Sequence, residues 1–331
     1  NIKDAYTKED GSIYTMPVKF GIPMIEGNKD IIAGITDLTT EADAAESQKD
    51  SYGKLQFFSD FSIAPSYLIQ GTIDNSIPAW MNEDGTLNEN AVKEYLEQVN
   101  RIWQTQKNAI EETKKAYQMG DDWADSDHSG YMDISGSVTS LLAKVDTVAA
   151  GGLLSPEGLV SLDSARKVDP DLDYKLLNGQ SENCFYPRSA VGVNAKASEK
   201  EAAEKFVKFL FEEESQRASN TEGLAVNSKV YEDMAYWKMG KSSGDTIGSI
   251  GTSYDTGDGN IKQFVMDEII PEDEAIQNIM DLGKTLTVPA KSNQIIRNAV
   301  TESGEKYLNG ETGLDDAVKE IMQEVNLYLS E

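Results

Sequence analysis

"KEDGSIYTMPVKFGIPMIEGNKDII", residues 8–32, puts strand chemistry almost at the first residue. Glu9-Asp10-Gly11 is a turn signal ahead of alternating apolar residues. Ile13 to Met16 then reads as one extended run and Val18 to Ile25 as a second. Pro17 stands between them; lacking an N–H, it belongs at an edge or between two strands. The pattern is that of the middle of a domain, not the start of an independent unit.

Outward from this stretch, strand-like and helix-like segments alternate, which makes the chain α/β. A helix is expected from Asp37 to Glu46, with Thr36 as its cap and Leu38, Ala42 and Ala45 on one face. Leu55–Phe58 reads as a buried strand, followed by a loop to Ser66 and an apolar segment from Tyr67 to Ile73. After the turn region Met81–Asn90, with Asn88 or Asn90 as cap, Val92, Tyr95, Leu96, Val99, Ile102 and Trp103 recur every three to four residues. That spacing predicts an amphipathic helix from Ala91 to about Tyr117. Val145–Leu154 reads as a strand ending in a Gly-Gly turn, Asp173–Leu177 as another strand, and Ser189–Asn194 as extended. Ser198 is expected to cap a helix over Glu199–Glu214 with Ala202, Ala203, Phe206, Val207, Leu210 and Phe211 on one face. Residues 240–260, rich in Gly, Ser, Asp and Thr, read as a loop. The last stretch is mostly helical, including helices near Asn293–Leu308 and Leu314–Val325.

Composition excludes more than it assigns. With 331 residues the chain is long enough for about two domains and a sizeable core. Its 57 acidic and 30 basic residues give a formal net charge of -27. Nucleic-acid phosphates and anionic lipid both demand clustered Lys and Arg, so neither is an expected partner. Cys184 and His128 are each the sole residue of their type, which removes disulfide frameworks and cysteine-based metal sites. No apolar run approaches the roughly 18–20 residues of a membrane span. No nucleotide, zinc-protease or nucleophile-elbow motif occurs. The Asp121, Asp122, Asp125, Asp127 and His128 cluster offers hard ligands at short spacing, but it fits no calcium-loop pattern. It reads as a solvated acidic loop, so no metal and no cofactor is expected.

Three stretches, taken in order, resemble the family 1 extracellular solute-binding proteins of bacterial ABC importers, the maltose-binding-protein-like group. They are Asp10–Ile32, Tyr186–Gln216 with "GLAVNSKVYE" (Gly223–Glu232), and Arg297–Leu329. The resemblance implies a type II periplasmic-binding-protein-like α/β fold, with one complete lobe plus a remnant of the other. Residues 1–19 would be a hinge-crossing segment, 20–186 and 226–331 the second lobe, and 187–225 the remnant of the first. It implies further that the chain lacks its N-terminal segment, and that the remnant exposes an apolar face through Val207, Leu210 or Phe211 or has it covered by a neighbouring chain.

For function, the resemblance implies a monomeric, non-enzymatic binder of a mono- or oligosaccharide that serves ABC permease subunits by hinged closure. It would lie outside the cell, tethered by a lipoprotein N-terminus, or be periplasmic. A sugar site needs aromatic faces for pyranose C–H surfaces and fixed polar groups for hydroxyls. By resemblance, Asp60, Phe61 and Ser62 belong to the loop that supplies a carboxylate and an aromatic; they also read as an ordinary polar loop. Trp80, read as lying on a loop, is either a ligand-stacking ring or a partly buried anchor. Gly152 and Asn293 stand near positions where maltose binders carry tryptophans, which argues against maltodextrin itself. Tyr186 would line the cleft, and Arg297 reads more as helix support than as ligand contact. Phe20, Gly21, Arg188 and Ser189 would be hinge positions. The competing readings are a secreted polysaccharide-acting enzyme, marked by two opposed carboxylates, and a non-catalytic surface interaction module with a flat apolar face.

Overall fold

The computed structural model describes residues 1–47, 64–116, 133–144, 147–218, 223–255, 260–290 and 293–329. A short helix, α1 (Ile2–Tyr6), precedes β1 (Met16–Asn28). The two extended runs expected around Pro17 are one strand of 13 residues. Pro17 is its second residue and gives the ladder no N–H. Next come α2 (Lys29–Ile32) and α3 (Leu38–Ser47). The cap of α3 is Asp37, whose Oδ1 accepts from Thr40 N at 2.9 Å, and not Thr36.

Beyond α3 lie α4 (Pro65–Ile73), α5 (Ile77–Trp80) and the long α6 (Glu89–Ala116). Asn88 caps α6, its Oδ1 accepting from Asn90 N and Ala91 N. The chain continues through α7 (Val138–Leu142), β2 (Val148–Leu153), α8 (Pro156–Val168), β3 (Leu172–Leu176) and β4 (Cys184–Val191). It then forms α9 (Lys200–Leu210), α10 (Glu213–Gln216), β5 (Leu224–Ala225), α11 (Ser228–Tyr231) and α12 (Met234–Trp237). β6 (Thr246–Asp255) and β7 (Ile261–Ile269) pair as an antiparallel ribbon. The loop expected over 240–260 is therefore half strand. Composition suggested a loop, but Ile247, Ile250, Thr252 and Tyr254 have β-propensity and the ladder to β7 satisfies the backbone. α13 (Asp273–Thr285), β8 (Val288–Pro289), α14 (Gln294–Leu308) and α15 (Leu314–Leu329) complete the described chain.

β1 organises the sheet because it serves two sets of partners. Its first part, Met16 to Gly21, pairs with β4, and Lys19 and Phe20 also pair with β5. Its second part pairs with β2 from Ile22 to Gly27 and with β3 from Met24 to Asn28. Alternate side chains leave the sheet on opposite faces. Ile25 and Val148 enter a core shared with α3, α4, α6, α14 and α15. Ile22, Met24, Ala149 and Leu153 enter a second core with α7, α8, α11, α12 and α13. The result is a three-layer arrangement with helices on both faces of the sheet. Each fully buried Ile or Leu in these cores contributes about 1.5–3 kcal/mol.

In α9, as in the short α1, no residue is buried. Ala203, Val207 and Leu210 form a half-buried stripe, while Phe206 and Phe209 on the adjoining stripe are 62% and 48% exposed. The apolar exposure expected of this segment is present, but through these two phenylalanines and not through Val207, Leu210 or Phe211.

Candidate functional site

The point where β1 exchanges partners gathers several of the sequence-derived candidates. Gly21 is opposite Tyr186 of β4, and the next residues, Ile22 and Pro23, are opposite Leu153 and Gly152 of β2. A side chain at Gly21 or Gly152 would have to displace the end of Leu154. A Cβ at Gly21 would lie 2.5 Å from Leu154 Cδ2, and one at Gly152 would lie 2.9 Å from the same atom and 3.2 Å from the Tyr186 ring. These glycines let Leu154 and Tyr186 close over the sheet. Tyr186 is 2% exposed and packs with Cys184 and Ala290. Burial raises both the Tyr186 phenol and the Cys184 thiol, the latter to about 12. Neither is an activated nucleophile.

Beneath Tyr186 lies a buried polar turn that the sequence reading missed. Asp74, Asn75 and Ser76 join α4 to α5, and all three are buried. Asn75 Nδ2 donates to the Tyr186 hydroxyl at 3.3 Å. Arg297, one turn into α14, donates to Asp74 Oδ2 at 2.5 Å. Ser181 N donates to Asn75 O, and Gln180 N to Ser76 Oγ. The turn thus ties α4, β4 and the start of α14 into one unit. Its only signal in the sequence is the Asp-Asn-Ser run after an apolar segment, which reads as a turn and nothing more.

Asn293 is the N-cap of α14, its Oδ1 accepting from Ile295 N and Ile296 N at 3.0 and 3.2 Å. The oxygen is committed to the helix, which leaves the amide N–H groups as the means of reaching a ligand. Trp80 requires a correction. It is not on a loop but ends α5, and it is fully buried in the helical core. Its ring meets Tyr95 edge-on at 5.0 Å, and Nε1 donates to Gln180 Oε1 at 2.5 Å. With the indole enclosed and its N–H satisfied, Trp80 is a core anchor and offers no face for stacking. Asp60, Phe61 and Ser62 lie outside the described residues, as does the Asp121–His128 cluster. α4 begins at Pro65, three residues after Ser62 in sequence, and Asp74 is its C-cap.

The hinge candidates divide. Phe20 is 3% exposed, with its ring 5.5 Å from Tyr231 and 6.5 Å from Phe185, so it is fixed in the core. Ser189 has φ of 50°, a left-handed conformation uncommon for a residue with a side chain. Arg188 is half-buried opposite Lys19. Among the described residues, no group of three or more His, Cys, Asp or Glu could hold a metal ion, and no helix is long and apolar enough to cross a membrane.

Comparison with known proteins bears on this geometry. No curated protein sequence matches the chain. Among solved structures, the chain is similar to the cyclic alpha-maltosyl-1,6-maltose binding protein of Arthrobacter globiformis. The two share 15% identity and a TM-score of 0.50, covering 99% of this chain and 76% of that one. It is also similar to a putative oligosaccharide periplasmic-binding protein of Synechococcus sp. MITs9220, at 11% identity and a TM-score of 0.55, with 99% and 76% covered. At these identities the likeness concerns the fold: the chain has the mixed α/β fold of periplasmic binding proteins and spans about three quarters of their length. The family model of the bacterial extracellular solute-binding proteins matches residues 1–217. Such proteins bind and deliver solutes to ABC transporters without transforming them, which sets aside the enzyme reading. With more than half of its residues matched and the fold in agreement, the chain belongs to the bacterial extracellular solute-binding proteins.

Proposed function

We propose that the chain is a carbohydrate receptor of an ABC importer, taking a mono- or oligosaccharide and presenting it to the permease by closure about the crossing strands. The family match over residues 1–217 carries the reading. The sugar assignment draws support from the Arthrobacter and Synechococcus structures, named for a cyclic maltosyl maltose and for oligosaccharides. Residues 20–186 and 226–331 make up one lobe. Residues 1–19 and 187–225 cross to, and belong with, the other. The exchange of partners along β1 at Gly21–Ile22 favours this division. Ligand that touches both lobes only in the closed state would shift the equilibrium toward closure. The protein acts outside the cytoplasm, held by a lipoprotein anchor or free in a periplasm.

The site comprises Asp60, Phe61 and Ser62 before α4 and the Asn293 amide at the start of α14, with the buried Gly152 and Tyr186 fixing the sheet where β1 changes partners. Asp60 accepts sugar hydroxyls and Phe61 stacks on a pyranose face. Isothermal calorimetry with α-glucosyl and α-galactosyl oligosaccharides tests this. Asp60→Ala should cost about 1.5–3 kcal/mol, roughly tenfold to a hundredfold in affinity. Phe61→Ala should cost a similar amount, and neither should lower the melting temperature much. Unchanged affinity with a large loss of stability would assign both residues to the fold.

A further inference from the structure

Gln216 is the last residue of α10 and is fully buried. Its side-chain amide is saturated by four backbone groups. Nε2 donates to Val18 O at 2.9 Å and to Leu210 O at 2.8 Å. Oε1 accepts from Val226 N at 2.8 Å and from Asn227 N at 3.2 Å. Its own carbonyl accepts from Lys19 Nζ at 2.6 Å, and Lys19 is itself 2% exposed. One side chain therefore joins β1, the end of α9 and the chain leaving β5. Of the side chains that can replace a glutamine here, none offers two donors and a two-fold acceptor at this reach.

These bonds fall beside an interruption in the β1–β4 ladder. The β1–β4 ladder contains Pro17 and Pro187, which have no N–H to give. Its register passes from the Pro17–Ala190 pair to the Lys19–Arg188 pair, and Val18 and Ser189 do not pair. Ser189 is the left-handed residue. β5 stops at Ala225, and the Val18 carbonyl and Val226 N–H, next in register on the β1–β5 ladder, are both taken by the Gln216 amide.

We propose that Gln216 is a positioning residue for closure: a splice that extends the two-pair β1–β5 ladder beside the interrupted β1–β4 ladder and makes the crossing segments bend as one unit. This rests on the hinged reading above. With β1, α9 and the β5 exit bound to a single amide, relative motion is directed to the unspliced strand, β4 at Ser189, and does not dissipate as slippage between strands.

Amide hydrogen exchange on the unliganded chain tests the splice without a ligand. Gln216→Met should speed exchange at least tenfold at Val226 and Asn227. It should do the same across residues 16–21 and 186–191; the β4 amides are ones that Gln216 does not bond. Gln216→Glu supplies a pH readout. As a carboxylate it faces the Val18 and Leu210 carbonyls without a proton to donate; once protonated it regains one donor. Protection, corrected for the intrinsic pH dependence of exchange, should return as pH falls. An increase confined to Val226 and Asn227, or a Gln216→Glu variant insensitive to pH, would overturn the proposal. Should Gln216→Met not fold, the Gln216→Glu profile decides alone. Spin labels at Glu204→Cys on α9 and Glu97→Cys on α6 separate this from the hinge reading. A distance distribution at least twofold broader in Gln216→Met supports both. Spread of exchange along β4 with an unchanged distance distribution supports the splice and overturns the hinge.

Discussion

Arg297 in the first turn of α14 donates to Asp74 at the end of α4 across 2.5 Å, and both side chains are at least nine-tenths buried. The pair joins positions 223 residues apart in sequence. Removing one partner strands the other charge in a low-dielectric interior, so Asp74→Ala and Arg297→Ala should each lose about 3–5 kcal/mol. The double replacement Asp74→Leu with Arg297→Met should lose less than either single change, because no charge remains uncompensated. Urea unfolding of the three variants measures this; a double variant as unstable as the sum of the singles would show that the two residues do not act as a pair.

Asn293 offers a way to separate folding from binding. Asn293→Ala removes the cap from Ile295 N and Ile296 N, and should cost about 1 kcal/mol in stability. Asn293→Asp keeps the capping oxygen but has no amide N–H to donate. It should retain the wild-type melting temperature and lose roughly tenfold in oligosaccharide affinity. Equal affinity for Asn293→Asp and wild type would confine the residue to its cap.

Glu41 of α3 is 1% exposed, and burial, helped by the charge of Asp37, pushes its carboxyl up to about 8 from an ordinary value of 4.5. The folded state therefore holds this proton when the unfolded chain has released it. Stability from this group is fully present below pH 4.5 and is lost as pH rises to about 8, after which it levels. Glu26, also fully buried, is raised by burial in the same direction, so the trend is reinforced. Glu41→Gln does not ionise. Relative to wild type it should gain with pH across this window, by about 3 kcal/mol at pH 7 at most. Thermal unfolding at pH 4.5, 6 and 8 gives the comparison; a constant difference between the two proteins would contradict it.

The α9 phenylalanines make a prediction about behaviour in solution. Phe206 and Phe209 are 62% and 48% exposed on neighbouring turns. Adjacent large apolar side chains in water favour self-association. Phe206→Ser with Phe209→Ser should reduce association in analytical ultracentrifugation while changing stability by no more than about 0.5 kcal/mol. A marked loss of stability would mean that the rings support α9 from within this chain.

The sequence alone determined the α/β class, because helices such as α6 and α15 bury a stripe whose period of three to four residues is written in the chain. The sequence left Asn88 and Asn90 both open as the cap of α6 and named Thr36 for α3; geometry chose Asn88 and Asp37. Hinge and ligand positions entered through resemblance to a family, and the structure then divided them. Gly21, Gly152 and Tyr186 meet where β1 changes partners, whereas Trp80 is in the core. Burial of one tryptophan depends on what Tyr95 and Gln180 do from 15 and 100 residues away in sequence, and local pattern does not carry that information. The same holds for strand β6, whose Gly- and Ser-rich segment becomes regular only because β7 satisfies its backbone. Asp74, Asn75 and Gln216 are ordinary turn and surface residues by type. Only the tertiary structure decided their roles, because a buried polar group acquires its meaning from partners that the fold brings to it.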